Sequence, residues 1–220
     1  MRTQTKEIQE NLTPKDAHRI LVEGNQRFVQ NVKAQRNLKE QVLATSSGQF
    51  PFAVVLSCID SRVPAELVFD QGIGDIFSVR IAGNVVNEDI LGSMEFACKL
   101  AGSKIVVVMG HTRCGAVNGA CQHVEMGNLT PLLQKIEPAV KQVQSEGNIT
   151  ERDDIEKVTV LNVHNAIKEI REKSQVLADL EKEGKIEIVG ALYSVHSGEV
   201  EFFNETVDAA SGETVVHQQS

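Results

Sequence analysis

Phe52-Ala53-Val54-Val55-Leu56-Ser57-Cys58-Ile59-Asp60-Ser61-Arg62 is an apolar run that ends in a cysteine, an aspartate and an arginine at alternate positions. A second run has the same plan: Ile105-Val106-Val107-Val108-Met109-Gly110-His111-Thr112-Arg113-Cys114-Gly115. Short runs that are apolar on both faces and rich in valine read as strands buried inside a parallel sheet. Between them, Pro64 starts a helix through Leu67 and Val68, and Ile76 to Arg80 reads as a further strand. Asn87 then caps a helix carrying Ile90, Leu91, Met94, Phe96, Ala97 and Leu100. This βαβαβ alternation predicts an α/β fold with right-handed crossovers, a central mostly parallel β-sheet flanked by helices. In such a sheet, ligands sit beyond the carboxyl ends of the strands. Cys58, His111 and Cys114 all fall there.

Two thiolates and one imidazole suit Zn²⁺, whose catalytic sites keep three protein ligands and one position for water. His111 and Cys114 can be offered by one tight turn, and a parallel neighbouring strand would deliver Cys58. Each feature alone has a plainer reading. A cysteine at a strand end is often a small buried hydrophobe, an isolated His-x-x-Cys is a weak metal signature, and Asp60 with Arg62 would be a surface ion pair of little consequence. Their joint appearance, each after a strand and each opening a Gly- or Pro-punctuated turn, favours the metal reading.

At these residues the chain resembles the β-class carbonic anhydrases: Cys58-x-Asp60-x-Arg62-Val63-Pro64 and His111-x-x-Cys114-Gly115 stand in that family's pattern, and the similarity runs from about Thr13 to the neighbourhood of Phe203. The resemblance implies one catalytic Zn²⁺ per subunit held by Cys58, His111 and Cys114, with Asp60 and Arg62 as a dyad beside it. It implies reversible hydration of CO₂ to bicarbonate and a proton, by attack of zinc-bound hydroxide. Arg62 would hold Asp60 off the metal through a bidentate pair; were that pair broken, Asp60 would become a fourth ligand and close the site. Activity rising with pH is the corresponding expectation. The same resemblance makes Gln49, Phe77, Gly83, Phe96 and Gly115 substrate-binding residues, with Gln49 reaching in from a partner subunit of a homodimer or a dimer-of-dimers tetramer. By the same resemblance, Phe96 stands where many members have tyrosine and Val55 where a bicarbonate-inhibited subgroup has tryptophan, while Arg80 keeps that subgroup's arginine; with tryptophan and tyrosine both absent, an inhibitory bicarbonate site is in doubt. Two other readings stay open: the same frame acting on carbon disulfide or carbonyl sulfide, and a zinc-stabilised scaffold without catalysis. Retention of Asp60 and Arg62 argues against the scaffold.

With 220 residues, 41% of them hydrophobic, the chain is long enough for one sizeable core. We therefore expect a single domain, with an N-terminal helical arm over 1–48, an α/β core over 49–204 and a polar, loose tail over 205–220. A formal net charge of −8 opposes any sequence-independent grip on nucleic acid. The four cysteines read as metal and core residues in place of a disulfide framework, with Cys98 and Cys121 structural. The beginning of the chain lacks the apolar run of a signal peptide, and the longest apolar runs are too short to span a bilayer. A cytoplasmic location follows as the expectation.

Thr13, Pro14 and Asp16 announce a helix start, and the arm they open lies either across a neighbouring subunit, as the resemblance suggests, or on its own domain. Leu38 to Thr45 reads as a short helix. Leu129 to Gln144 reads as helix interrupted or restarted at Pro138. From Asp153 to Gly184 one long helix carries two apolar stripes, which predicts burial on both sides and hence a subunit interface. Lys185 to Tyr193 and Val200 to Phe203 are expected as strands at the sheet edge. Gly72-Ile73-Gly74 and Ala82-Gly83-Asn84 lack the spacing of phosphate-binding loops. His18, His123, His164, His196 and His217 have no partner at ligand spacing, although His123 is the nearest candidate to carry away a product proton.

Overall fold

The computed structural model of the chain describes residues 3–203, 205–207 and 214–216. Three helices come first, α1 (Lys6–Asn11), α2 (Pro14–Val29) and α3 (Leu38–Thr45). They are followed by β1 (Ala53–Ser57), α4 (Ala65–Val68), β2 (Ile76–Arg80), α5 (Glu88–Glu95) and β3 (Ile105–His111). Helices α6 (Gly115–Cys121), α7 (Leu129–Leu133), α8 (Glu137–Glu146), α9 (Arg152–Lys173) and α10 (Gln175–Lys182) then lead to β4 (Glu187–Tyr193) and β5 (Val200–Phe202). As expected, Thr13 and Asp16 form a reciprocal capping box with Pro14 in the first turn of α2.

The strands form one sheet in the order β2-β1-β3-β4-β5, parallel throughout except for β5, which runs antiparallel to β4. From β1 the chain steps to β2 on one side, then crosses back to β3 on the other. The order of strands therefore reverses between β1 and β3, and a crevice opens beyond their carboxyl ends. Every residue of β1 and β3 is buried, because α5, α9 and α10 cover one face and α2 and α4 the other. Each fully buried valine, leucine or isoleucine contributes roughly 1.5–3 kcal/mol. The two strands that carry the site are thus the most firmly held in the molecule.

Several expectations need correction. The arm packs on its own chain: Ala17 and Leu21 are buried among β1 and β3 residues, and Gln9 Nε2 donates to the carbonyls of Pro51 and Ala101, each at 2.7 Å. The two stripes of the long helix are also covered within the chain, by β3 and β4 on one side and α8 and α6 on another, which removes that argument for a subunit interface. The helix itself breaks at Ser174, whose extended backbone and hydroxyl, accepting from Leu177 N–H, start α10 afresh. Within the tail, β6 (Glu205–Val207) pairs antiparallel with β7 (Thr214–Val216); the expectation of a loose tail otherwise falls on residues outside those described. The threonines and valines of β6 and β7 are good strand formers. Among the described residues, no helix is long and apolar enough to cross a membrane.

Candidate metal centre

Beyond the carboxyl ends of β1 and β3, Cys58, His111 and Cys114 converge, with one ligand atom from each lying within 4.8 Å of the others. The two sulfurs are 4.0 Å apart. All three side chains are buried, His111 fully. His111 Nδ1 lies 2.9 Å from the Thr112 carbonyl oxygen, so Nδ1–H is the donor and Nε2 carries the lone pair. That Nε2 is buried without a hydrogen-bond partner. An orphaned imidazole nitrogen facing two thiols is what a soft cation would satisfy, and the donor set fits Zn²⁺.

The sulfurs are unequal. Hydrogen bonding from Cys114, helped by the Gly83 amide, drives the Cys58 thiol down against the opposing effect of burial. Cys114 is pushed up by its bond to Cys58, by burial and by the negative charge opposite it. Two sulfurs this close compete for one negative charge, and a divalent cation held between them would let both be thiolates. Gly83 N–H donates to Cys58 Sγ at 3.3 Å, and Cys114 sits at the N-terminal cap of α6, where backbone amides favour a thiolate.

Asp60 and Arg62 stand at the rim. Arg62 Nε donates to Asp60 Oδ1 at 2.9 Å and Nη2 to Oδ2 at 2.7 Å, and the Arg62 backbone N–H adds a third bond at 2.9 Å. The Arg62 guanidinium holds the Asp60 carboxyl well below the usual carboxylate range, overcoming desolvation. Oδ2 still lies 4.0 Å from His111 Nε2, so the ionised carboxylate faces the ligand set while tied to the arginine.

The other predicted site residues are distributed as follows. Gly83 and Gly115 lie at the cluster, Gly115 opening the helix after Cys114. Phe77 and Phe96 meet edge-to-face, 6.1 Å between centroids, in an open groove with Arg80, Glu88 and Asp89 that includes no metal ligand. Gln49 is exposed and precedes β1, at the opposite end of that strand from Cys58. Sequence reasoning missed how Arg80 works: its Nη2 donates to Asp60 O at 2.6 Å and its Nε to Cys58 O at 3.1 Å, clamping the turn after β1. The in-register pairing of Ser57 with Arg80 makes this possible, and strand pairing is not written in any local motif.

An open sheet with a soft, buried three-donor site at its switch point defines a zinc-dependent enzyme. The family model described as carbonic anhydrase matches residues 53–200. The chain is 34% identical over 194 residues to carbonic anhydrase 2 of Mycobacterium tuberculosis, covering 86% of this chain and 92% of that one. It is 32% identical over 198 residues to the carbonic anhydrase of Mycolicibacterium smegmatis, covering 87% and 94%. Among solved structures, the β-carbonic anhydrase CafA of Aspergillus fumigatus aligns with a TM-score of 0.70 at 28% identity over 76% of this chain and 81% of that one. The β-carbonic anhydrase CcaA aligns with a TM-score of 0.69 at 25% identity over 91% and 99%. The chain belongs to the carbonic anhydrase family, in its β class, as the resemblance at Cys58, His111 and Cys114 implied. Its reaction is the hydration of CO₂.

Proposed function

We propose that this chain interconverts CO₂ and bicarbonate at the Cys58–His111–Cys114 centre, with Asp60 and Arg62 as its catalytic dyad. The three ligands would hold Zn²⁺, which when bound supplies the Lewis acidity that makes water nucleophilic near neutral pH. Asp60 Oδ2, ionised and turned toward the ligand set, accepts the hydrogen bond of the reacting hydroxyl and so aims its lone pair at carbon. Arg62 keeps that carboxylate charged and prevents it from turning inward as a fourth ligand. The 4.0 Å approach of Oδ2 to His111 Nε2 is the observation that carries the assignment. Gly115, with open space where a Cβ would stand, leaves backbone surface free for a small linear substrate, Gly83 holds the Cys58 sulfur through its N–H, and we assign Phe77 and Phe96 to the outer wall.

Gln49 serves a neighbouring copy in this reading. β2 is an edge strand; a twofold apposition along it would reverse the strands and bring the amino end of one β1 level with the carboxyl end of the other, across the two β2 strands. Gln49 of the partner subunit would then face Asp60. We assign the reaction to the cytoplasm, since the four cysteines are free thiols, as suits a reducing compartment. Stopped-flow CO₂ hydration with zinc content tests the site. Cys58→Ala loses zinc and activity, whereas Asp60→Asn keeps zinc and loses on the order of 10²-fold in kcat/KM. Full activity in Asp60→Asn removes the carboxylate from the mechanism.

A further inference from the structure

Helix α9 reaches the His111–Cys114 turn directly and the Cys58 sulfur through Gly83. A Cβ at Gly110 would lie 2.8 Å from Val163 Cγ2, so the missing side chain lets α9 settle against the end of β3. From there the buried Asn162 donates its Nδ2 to Gly83 O at 2.9 Å. Gly83 in turn donates its N–H to Cys58 Sγ. Less than two turns back along the same helix, Glu156 Oε1 accepts the N–H of Arg113 at 3.0 Å. Arg113 lies between His111 and Cys114 and has φ +57°; Gly83 has φ +66°. Both bonds therefore end on left-handed residues, where an arginine has little intrinsic reason to stay and a glycine has too much freedom.

We infer that Asn162 and Glu156 are positioning residues, through which one rigid helix sets the spacing between the Cys58 turn and the His111–Cys114 turn and thereby the grip on the ion. The inference rests on Cys58, His111 and Cys114 being the ligands. Cys58 and Cys114 are 56 residues apart in the chain; the pairing of β1 with β3 fixes where the two strands end, but not how the turns beyond them are held. Partners that orient a ligand from behind are typically worth about 10–100-fold in metal affinity.

The test follows zinc release from the holoenzyme to a chromogenic chelator, and the thiolate-to-metal absorption of the cobalt(II)-exchanged protein. Glu156→Ala and Asn162→Ala should each release zinc about ten-fold faster, with altered absorption, while Glu156→Gln, whose amide oxygen still accepts the Arg113 N–H, stays within about two-fold. Release from Glu156→Ala at the unaltered rate, or equal loss in Glu156→Gln, overturns the role of Glu156; unaltered release in a folded Asn162→Ala overturns that of Asn162. Should Asn162→Ala not fold, the Glu156 pair decides alone. Unaltered protein that purifies without zinc refutes the ligand assignment instead.

Discussion

At Gly83 three requirements meet in one residue: a left-handed backbone, a place for no side chain and an amide aimed at Cys58. An added Cβ would lie 2.7 Å from Ile136 Cδ1 and 3.3 Å from Ala116 Cβ. Gly83→Ala should lower folding stability by roughly 1–2 kcal/mol for the backbone conformation alone, read from urea unfolding, and should also loosen zinc. A fully stable variant would mean the turn can reorganise without harm. Arg62 behaves oppositely. Its side chain is 48% exposed, so its pair with Asp60, screened by solvent, adds little to folding. Arg62→Ala should therefore unfold at nearly the same urea concentration while CO₂ hydration drops; a large loss of stability would make the pair structural.

Among the elements, the arm is held by Asp70, just past α4, with φ +45°. It accepts from Arg27 Nε and Arg36 Nη1, each at 2.6 Å, and from Ala34 N–H at 3.1 Å. Its own carbonyl accepts from Arg36 Nη2. Burial pushes the carboxyl up, but the bonds from Arg27, Arg36 and Ala34 outweigh it and leave the carboxyl lowered. Asp70→Asn removes the negative charge that faces Arg27 and Arg36, the latter only 7% exposed, and should cost about 3–5 kcal/mol. Because the folded pKa is depressed, this stability is fully present above the unfolded carboxyl value of about 4 and is lost as pH falls through the folded one. The stability gap between the two proteins should therefore narrow steadily as pH falls below the unfolded carboxyl value; a gap unaltered by acid would contradict the charge argument.

At the scale of the whole molecule, the proposed assembly makes Gln49 and Asp60 of one site belong to different copies. Gln49→Ala and Asp60→Asn proteins, each impaired alone, should recover activity when unfolded and refolded together. In a mixed dimer one site carries both defects and the other neither, so random pairing restores roughly a quarter of the sites. If activity only averages, Gln49 does not act across copies. The open edge of β2, whose backbone groups need partners, is where copies would meet, and ultracentrifugation of the unaltered protein reads the assembly directly.

The ligand set and the parallel core were legible in the sequence, because a buried strand is spelled by an unbroken apolar run and zinc chemistry by the donor atoms that follow it. The order of neighbours in the sheet was not legible, because strand pairing is decided between segments far apart in the chain. What the sequence did not reveal was held by backbone groups far apart in the chain: Asn162 reaches Gly83 across 79 positions and Glu156 reaches Arg113 across 43. A carbonyl or an amide is identical in every residue, so nothing in the side-chain pattern says which one a distant asparagine or glutamate will meet. The stripes of the long helix were visible, but whether another copy or the chain's own sheet covered them depended on how the helix packs. Composition and periodicity specified the strands and the donors; only three-dimensional packing decided what grips the turns between them, because contacts between remote segments are set by how the whole core closes.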